Sequence, residues 1–169
     1  MKTQISDMIE ETITVDISDA KVSTDPTRVL ATYSLGSCIG VCLYSRVELT
    51  GGMLHCLLPD SSVNPQRAKE NPFVYADTGM KALLEKLISM GIKKNQINVK
   101  IAGGAQRLKN TTKEFDIGKR NYLAIRKILW DNEMFIDAED VGGCLPRTLY
   151  MSIADGTVIV KSNRFDIYM

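Results

Sequence analysis

The chain has 169 residues, a length that suits one compact domain able to bury a core without disulfide staples. Hydrophobic residues make up 44% and charged residues 24%, and 21 Lys+Arg against 20 Asp+Glu leave a formal net charge of +1. No basic block stands out, so neither nucleic acid nor an anionic membrane is an implied partner. The apolar runs are too short to span a bilayer, and MKTQISDMIEETI lacks the apolar stretch of a secretory signal, so no membrane insertion and a cytoplasmic location are expected.

Residues 1–11 read as a polar arm and residues 12–169 as a single domain. TITVDISDAKVS and RVLATYSLGS alternate or run apolar with β-branched residues, which predicts strands over 12–22 and 28–34 with the turn STDPT between them. IGVCLYS and GGMLHCLLP predict two more strands joined by RVELT, and DSSVNPQRAKENPF predicts a loop. In YADTGMKALLEKLISMG the residues Met80, Leu83, Leu84, Leu87 and Ile88 fall on one helical stripe that Gly91 terminates. Ala124, Ile125, Ile128 and Leu129 make a second stripe in IGKRNYLAIRKILWDNE. INVKIAGGAQ reads as a buried strand ending in a glycine turn. FIDAEDVGG, RTLYMSI and GTVIVKS supply further strands, the last two joined through ADG. Two amphipathic helices cannot cover both faces of so many strands. The expected fold is an α/β layered sandwich of two mixed β-sheets with two or three helices packed outside.

Cys38 and Cys42 sit in one apolar run, and His55, the chain's only histidine, follows in the next. A metal clip is the first reading to test. On a strand, positions 38 and 42 share a face but lie roughly 13 Å apart, a gap that one zinc ion with bonds of about 2.3 Å cannot bridge. His55 and Cys56 would point to opposite faces. No metal or cofactor is expected, and Cys42 and Cys56 read as core residues.

Cys38 has two readings on the residues alone. It is either a core cysteine or a nucleophile. Gly36 and Ser37 place it at the end of a turn, where backbone N–H groups not consumed by a ladder supply an oxyanion hole. His55 is either a satisfied core histidine or the base for that thiol, an adjacent imidazole lowering the thiol's pKa as an ion pair. Gly103–Ala105 and Gly142–Gly143 are turns that need positive φ, or surfaces along which a substrate approaches. No glycine fingerprint or lysine-serine/threonine pair marks a nucleotide site. Arg147 is expected on the solvated surface.

LATYSLGSCIGVCLYS followed by GGMLHCLLPDS resembles the chemoreceptor glutamine deamidase (CheD) family. The resemblance continues through VYADTGMKALLEKLISMG, VKIAGGA, IGKRNYLAIRKIL, AEDVGG and PRTLYMSIADGTVIVK, in order, over about residues 14 to 161. It implies a nucleophilic cysteine at Cys38, a histidine acid/base at His55 and a third triad member at Thr32. Gly36 and Ser37 then flank the oxyanion position, and Gly103 and Gly104 line the substrate approach. It further implies an α/β sandwich that converts particular glutamines of methyl-accepting chemotaxis receptors to glutamate with release of ammonia. A CheC-type phosphatase is an implied further partner. The alternative is an adaptor, non-enzymatic or bifunctional, that binds and tunes such a phosphatase. In the expected chemistry Thr32 accepts a hydrogen bond from one imidazole nitrogen, and a neutral hydroxyl stabilises imidazolium less than a carboxylate does. The chain departs from the family at Gln106, Arg107 and Leu108, where a methionine–phenylalanine pair is common, and at Cys144, where asparagine is frequent. Those positions are expected away from the triad.

Overall fold

The computed structural model describes residues 12–106, 116–163 and 165–169. The arm assigned to residues 1–11 and the departures at Arg107 and Leu108 lie outside them. In chain order the strands are β1 (Thr12–Thr14), β2 (Asp19–Ser23), β3 (Val29–Leu35), β4 (Ile39–Ser45), β5 (Thr50–Cys56), β6 (Ile97–Gly103), β7 (Ala138–Val141), β8 (Arg147–Ser152), β9 (Val158–Lys161) and β10 (Asp166–Tyr168). The α-helices are α1 (Pro65–Glu70), α2 (Ala76–Ser89) and α3 (Ile117–Asp131). Two five-stranded sheets result, ordered β1-β3-β8-β9-β10 and β2-β5-β4-β6-β7. Each is mixed, because β1 runs parallel to β3 and β7 parallel to β6 while the other pairs are antiparallel.

The three layers follow from side-chain parity. On β4 and β5, Ile39, Val41, Leu43, Leu54 and Cys56 face α2 and α3 and join Met80, Leu83, Leu87, Ile125 and Leu129 in one core. Cys38, just before β4, and the alternate residues Cys42, Tyr44 and Met53 face the other sheet and meet Leu30, Leu149 and Met151 in a second core. A strand buried on both faces reads as continuous apolar sequence, and every residue of β4 and β5 is buried. The expected architecture is the one found.

Local readings differ in three places. The strand expected over 12–22 is two strands in different sheets, since β1 pairs with β3 and β2 with β5. The break comes at Ser18, whose φ of 59° lies in the left-handed region that a strand cannot use. The loop expected over 60–73 contains α1, which Asn64 starts by accepting a hydrogen bond from the Arg67 N–H, with Pro65 in its first turn, a standard N-terminal pairing. Ile88 is 42% exposed and lies off the α2 stripe. Helix α2 ends as expected, with Gly91 at φ 90° and N–H bonds from Gly91 to Ile88 and from Ile92 to Leu87, the paired pattern of a glycine-terminated helix.

Arg147 also corrects its expectation. It is only 6% exposed, and its Nε donates to the Asp140 carboxylate at 2.6 Å while Nη1 donates to the Gly142 carbonyl at 2.8 Å. It ties β8 to the loop after β7 rather than facing solvent. No described helix is long and apolar enough to cross a membrane.

Candidate active site

A β-bulge brings Thr32 into play. Thr32 pairs with Leu149 and Leu35 with Arg147, so one extra residue sits between them on β3. Without it, Leu35 would point away from the side that Thr32 faces, because strand parity alternates. With it, Thr32 and Leu35 both point inward and Tyr33 and Ser34 are exposed. The chain then crosses through Gly36 and Ser37 into β4.

His55 lies on β5 directly opposite Gly40 of β4, and it is completely buried. Its Nδ1 stands 2.7 Å from the Thr32 Oγ1, across the gap between the two sheets. The same hydroxyl donates to the Val15 carbonyl at 2.7 Å. A threonine has one hydroxyl proton. Since Val15 takes it, the imidazole Nδ1 carries the other proton and donates to Oγ1, and Nε2 is left with its lone pair. Nε2 is buried with no hydrogen-bond partner among the described residues.

Cys38 immediately precedes β4 and is 8% exposed. It lies two residues before Gly40, hence on the same face as His55 and diagonal to it. Such diagonal neighbours have Cβ atoms about 7 Å apart, within reach of a thiol and an imidazole turned toward each other. They are not hydrogen-bonded in this geometry, as the lone Nε2 states. Gly40 keeps the ground open: a Cβ there would run into the Leu149 and Leu35 side chains. Thr32, Cys38 and His55 are therefore brought onto one inter-sheet face, whereas Cys56 turns to the helices and Cys42 packs deeper between the sheets. Among the described residues no group of three or more His, Cys, Asp or Glu is placed to hold a metal ion.

Burial sets the electrostatics. It pushes the Cys38 thiol up, with the residue's own backbone N–H acting in the opposite direction. It pulls His55 down to about 4, with Asp16 acting in the opposite direction. Desolvation penalises whichever form is charged, and Thr32 offers a hydroxyl rather than a carboxylate. The resting pair is neutral thiol and neutral imidazole, not the ion pair that residue types alone suggest.

Unfolded histidine titrates near 6.5, so between that value and about 4 the unfolded chain binds a proton that the folded chain refuses. Stability is therefore lost as pH falls through this window. Urea denaturation at pH 7.5 and 4.5 should show the wild type losing about 2–3 kcal/mol more than His55→Gln. Equal losses would contradict the burial of a neutral imidazole.

The turn around Cys38 is held by three carbonyl contacts. Ala105 N–H donates to Gly36 O and Gly104 N–H to Cys38 O, both at 2.8 Å. Asn121 Nδ2 donates to Ser37 O at 2.9 Å and to Leu57 O at 3.0 Å. Gly103, with φ 115°, lies so close that a Cβ would strike the Cys38 carbonyl. The loop carrying Cys144 is nearer than the sequence suggests: Gly142 N–H bonds Gly103 O and Gln106 N–H bonds Gly143 O. Asn121 was missed in the sequence. Its signal was there, because Gly118, Asn121, Ile125 and Leu129 are the buried residues of α3, and a polar side chain on an apolar stripe demands partners.

Comparison with known proteins gives the family. The family model described as CheD chemotactic sensory transduction matches residues 57–162. A protein of Solibacter usitatus is 44% identical over 153 residues, covering 90% of each chain. One of Syntrophus aciditrophicus is 42% identical, over 89% of this chain and 94% of its own. One of Pyrococcus abyssi is 39% identical, over 79% and 81%. The first and third are named "Probable chemoreceptor glutamine deamidase CheD" and the second "Probable chemoreceptor glutamine deamidase CheD 1". Among solved structures, Bacillus licheniformis hypothetical protein YfiH aligns with a TM-score of 0.48 at 15% identity, over 75% of this chain and 51% of that one, a likeness too slight to carry an argument. The matches define the class as chemotactic sensory transduction. The chain belongs to the CheD family.

Proposed function

We propose that this protein is a protein-glutamine deamidase of chemotaxis receptors, with Cys38 as nucleophile, His55 as acid/base and Thr32 as the residue that fixes the imidazole. The relatives' names support the activity and the substrate. The observation that carries the residue roles is the lone Nε2 of a buried imidazole whose Nδ1 is committed to Thr32, on the face that holds Cys38.

In this reading the glutamine amide carbonyl enters beside Cys38. The thiol proton passes to Nε2 as sulfur attacks carbon, which gives a tetrahedral oxyanion. The backbone N–H of Cys38 stabilises that charge. The imidazolium returns its proton to the leaving nitrogen, the C–N bond breaks, and ammonia departs from a thioester. His55 then takes a proton from water as hydroxide adds to the thioester carbonyl; the C–S bond breaks, the imidazolium returns the proton to sulfur, and glutamate is released. Because burial holds His55 down to about 4, it stays unprotonated well below the ordinary imidazole range.

Mass spectrometry of a receptor cytoplasmic fragment incubated with the protein tests the function. Particular glutamines should gain about one mass unit and one negative charge, an amide becoming an ionised carboxylate. Unchanged glutamines across several receptor fragments would overturn the reading. In this reading the modified glutamines lie on the cytoplasmic part of a receptor, and the protein works in the cytoplasm. A CheC-type phosphatase as a second partner rests on the family resemblance, and the adaptor reading would make that binding the main role. Titration of a purified phosphatase with Cys38→Ala protein separates the two: binding and tuning should survive the loss of the thiol.

A further inference from the structure

We propose that Asn121 is the positioning residue of the oxyanion hole: by gripping the Ser37 carbonyl it aims the Cys38 N–H at the substrate oxygen. This role rests on the deamidase reading and deepens it.

The ladder between β4 and β5 extends as far as Ile39 and Cys56. Continued in register, it would set Ser37 against Leu58. Instead the strands part. Leu58 N–H donates to Val74 O, and Leu58 O accepts from Ala76 N–H. The Asn121 amide enters the opening and donates to both Ser37 O and Leu57 O. Its orientation is fixed, since a flipped amide would set an oxygen against two carbonyl oxygens. Asn121 is fully buried, and Gly118, one turn earlier on α3, lets the helix sit close enough to reach: a Cβ there would strike the Gly104 carbonyl.

The consequence lies in the peptide plane. In a trans peptide the C=O and the following N–H point opposite ways, and the chain has no cis bonds among the described residues. Holding Ser37 O toward β5 and α3 therefore turns the Cys38 N–H to the other side of the backbone. The Ala105 bond to Gly36 O orients the Ser37 N–H in the same manner. Neither of these two N–H groups has a backbone acceptor among the described residues. The thiol then lies between its base on β5 and an N–H aimed away from β5. That is the arrangement an amide carbonyl needs as it becomes an oxyanion.

Two reactions of the same sulfur separate this role from simple scaffolding. Deamidation passes through an oxyanion, whereas alkylation of Cys38 by iodoacetamide displaces iodide without one. Asn121→Ala should lower kcat for deamidation by about 30-fold or more with little change in KM. Its Cys38 alkylation rate and the pH dependence of that rate should stay within about threefold of wild type. Asn121→Asp keeps the shape, and as a buried acid it donates one bond in place of two. It should show the same split with a smaller loss, and it serves if the alanine variant fails to fold by thermal melting. Deamidation within about threefold of wild type, or alkylation that falls in step with it in either variant, would overturn the proposal. Wild-type protein alongside separates the two readings. If it converts no glutamine, the deamidase reading falls and this role with it; if it does and the variants keep its rate, only the role of Asn121 falls.

Discussion

Cys38→Ala should reduce deamidation of a receptor fragment by about a thousandfold or more, and His55→Ala by a similar factor, because nucleophile and base act as one unit. Thr32→Ala should cost less, about 10- to 100-fold. Its hydroxyl contributes a tautomer and a ring orientation, through two contacts of 2.7 Å, and no charge. Without it the Nδ1 proton is released from its place, and a fraction of the imidazole presents a protonated Nε2 that cannot accept from the thiol. Single-turnover rates of the three variants at pH 7.5, with folding checked by thermal melting, decide the ranking. Equal losses in all three would show that Thr32 does more than orient, or that the sheets shift when it is removed.

Gly103→Ala should be the most damaging of the glycine substitutions around the site. The backbone there has φ 115°, a region that a side chain rarely adopts, and the new methyl would run into the carbonyl of Cys38. Strain and overpacking together should lower stability by about 2–4 kcal/mol. The collision falls on the residue that carries the nucleophile, so the folded fraction should also lose deamidation rate. Gly142→Ala is the control. Its φ is 78° and nothing lies within 4 Å of the added methyl, so it should cost about 1 kcal/mol and leave the rate nearly intact. Urea denaturation with parallel rate measurements distinguishes them. A Gly103→Ala protein as stable and active as Gly142→Ala would contradict the close approach of these two turns.

Much of this architecture is legible in the residues. Continuous apolar runs in β4 and β5 signal strands buried on both faces, and the stripe of Met80, Leu83, Leu84 and Leu87 signals a helix above them. Alternation cannot reveal where a strand changes sheet. Ile13, Val15 and Ile17 keep one rhythm, yet the positive φ at Ser18 sends β1 and β2 to different sheets. Nor does the sequence announce the extra residue on β3 that turns Thr32 and Leu35 to the same side.

At the site, Cys38 and His55 stand out by residue type, but their charge state does not. A thiol beside an imidazole suggests an ion pair. Burial without a carboxylate partner opposes it and leaves both groups neutral at rest. Arg147 reads as a surface residue and Asn121 draws no notice, because their partners are backbone carbonyls and Asp140, which only the folded chain brings to them. The departure at Gln106 follows the turn that bonds Cys38, and Cys144 follows the Gly142–Gly143 turn that is itself bonded to that one.

The covalent intermediate offers the most direct measurement. A receptor peptide containing a reactive glutamine, mixed with an excess of protein and quenched in acid within the first turnover, should leave its acyl group on the enzyme. Peptide mapping should place that thioester on Cys38, at a mass equal to the added peptide less ammonia. Full deamidation with no adduct at Cys38, together with an undiminished rate in Cys38→Ala, would mean that the amide is hydrolysed elsewhere on this fold.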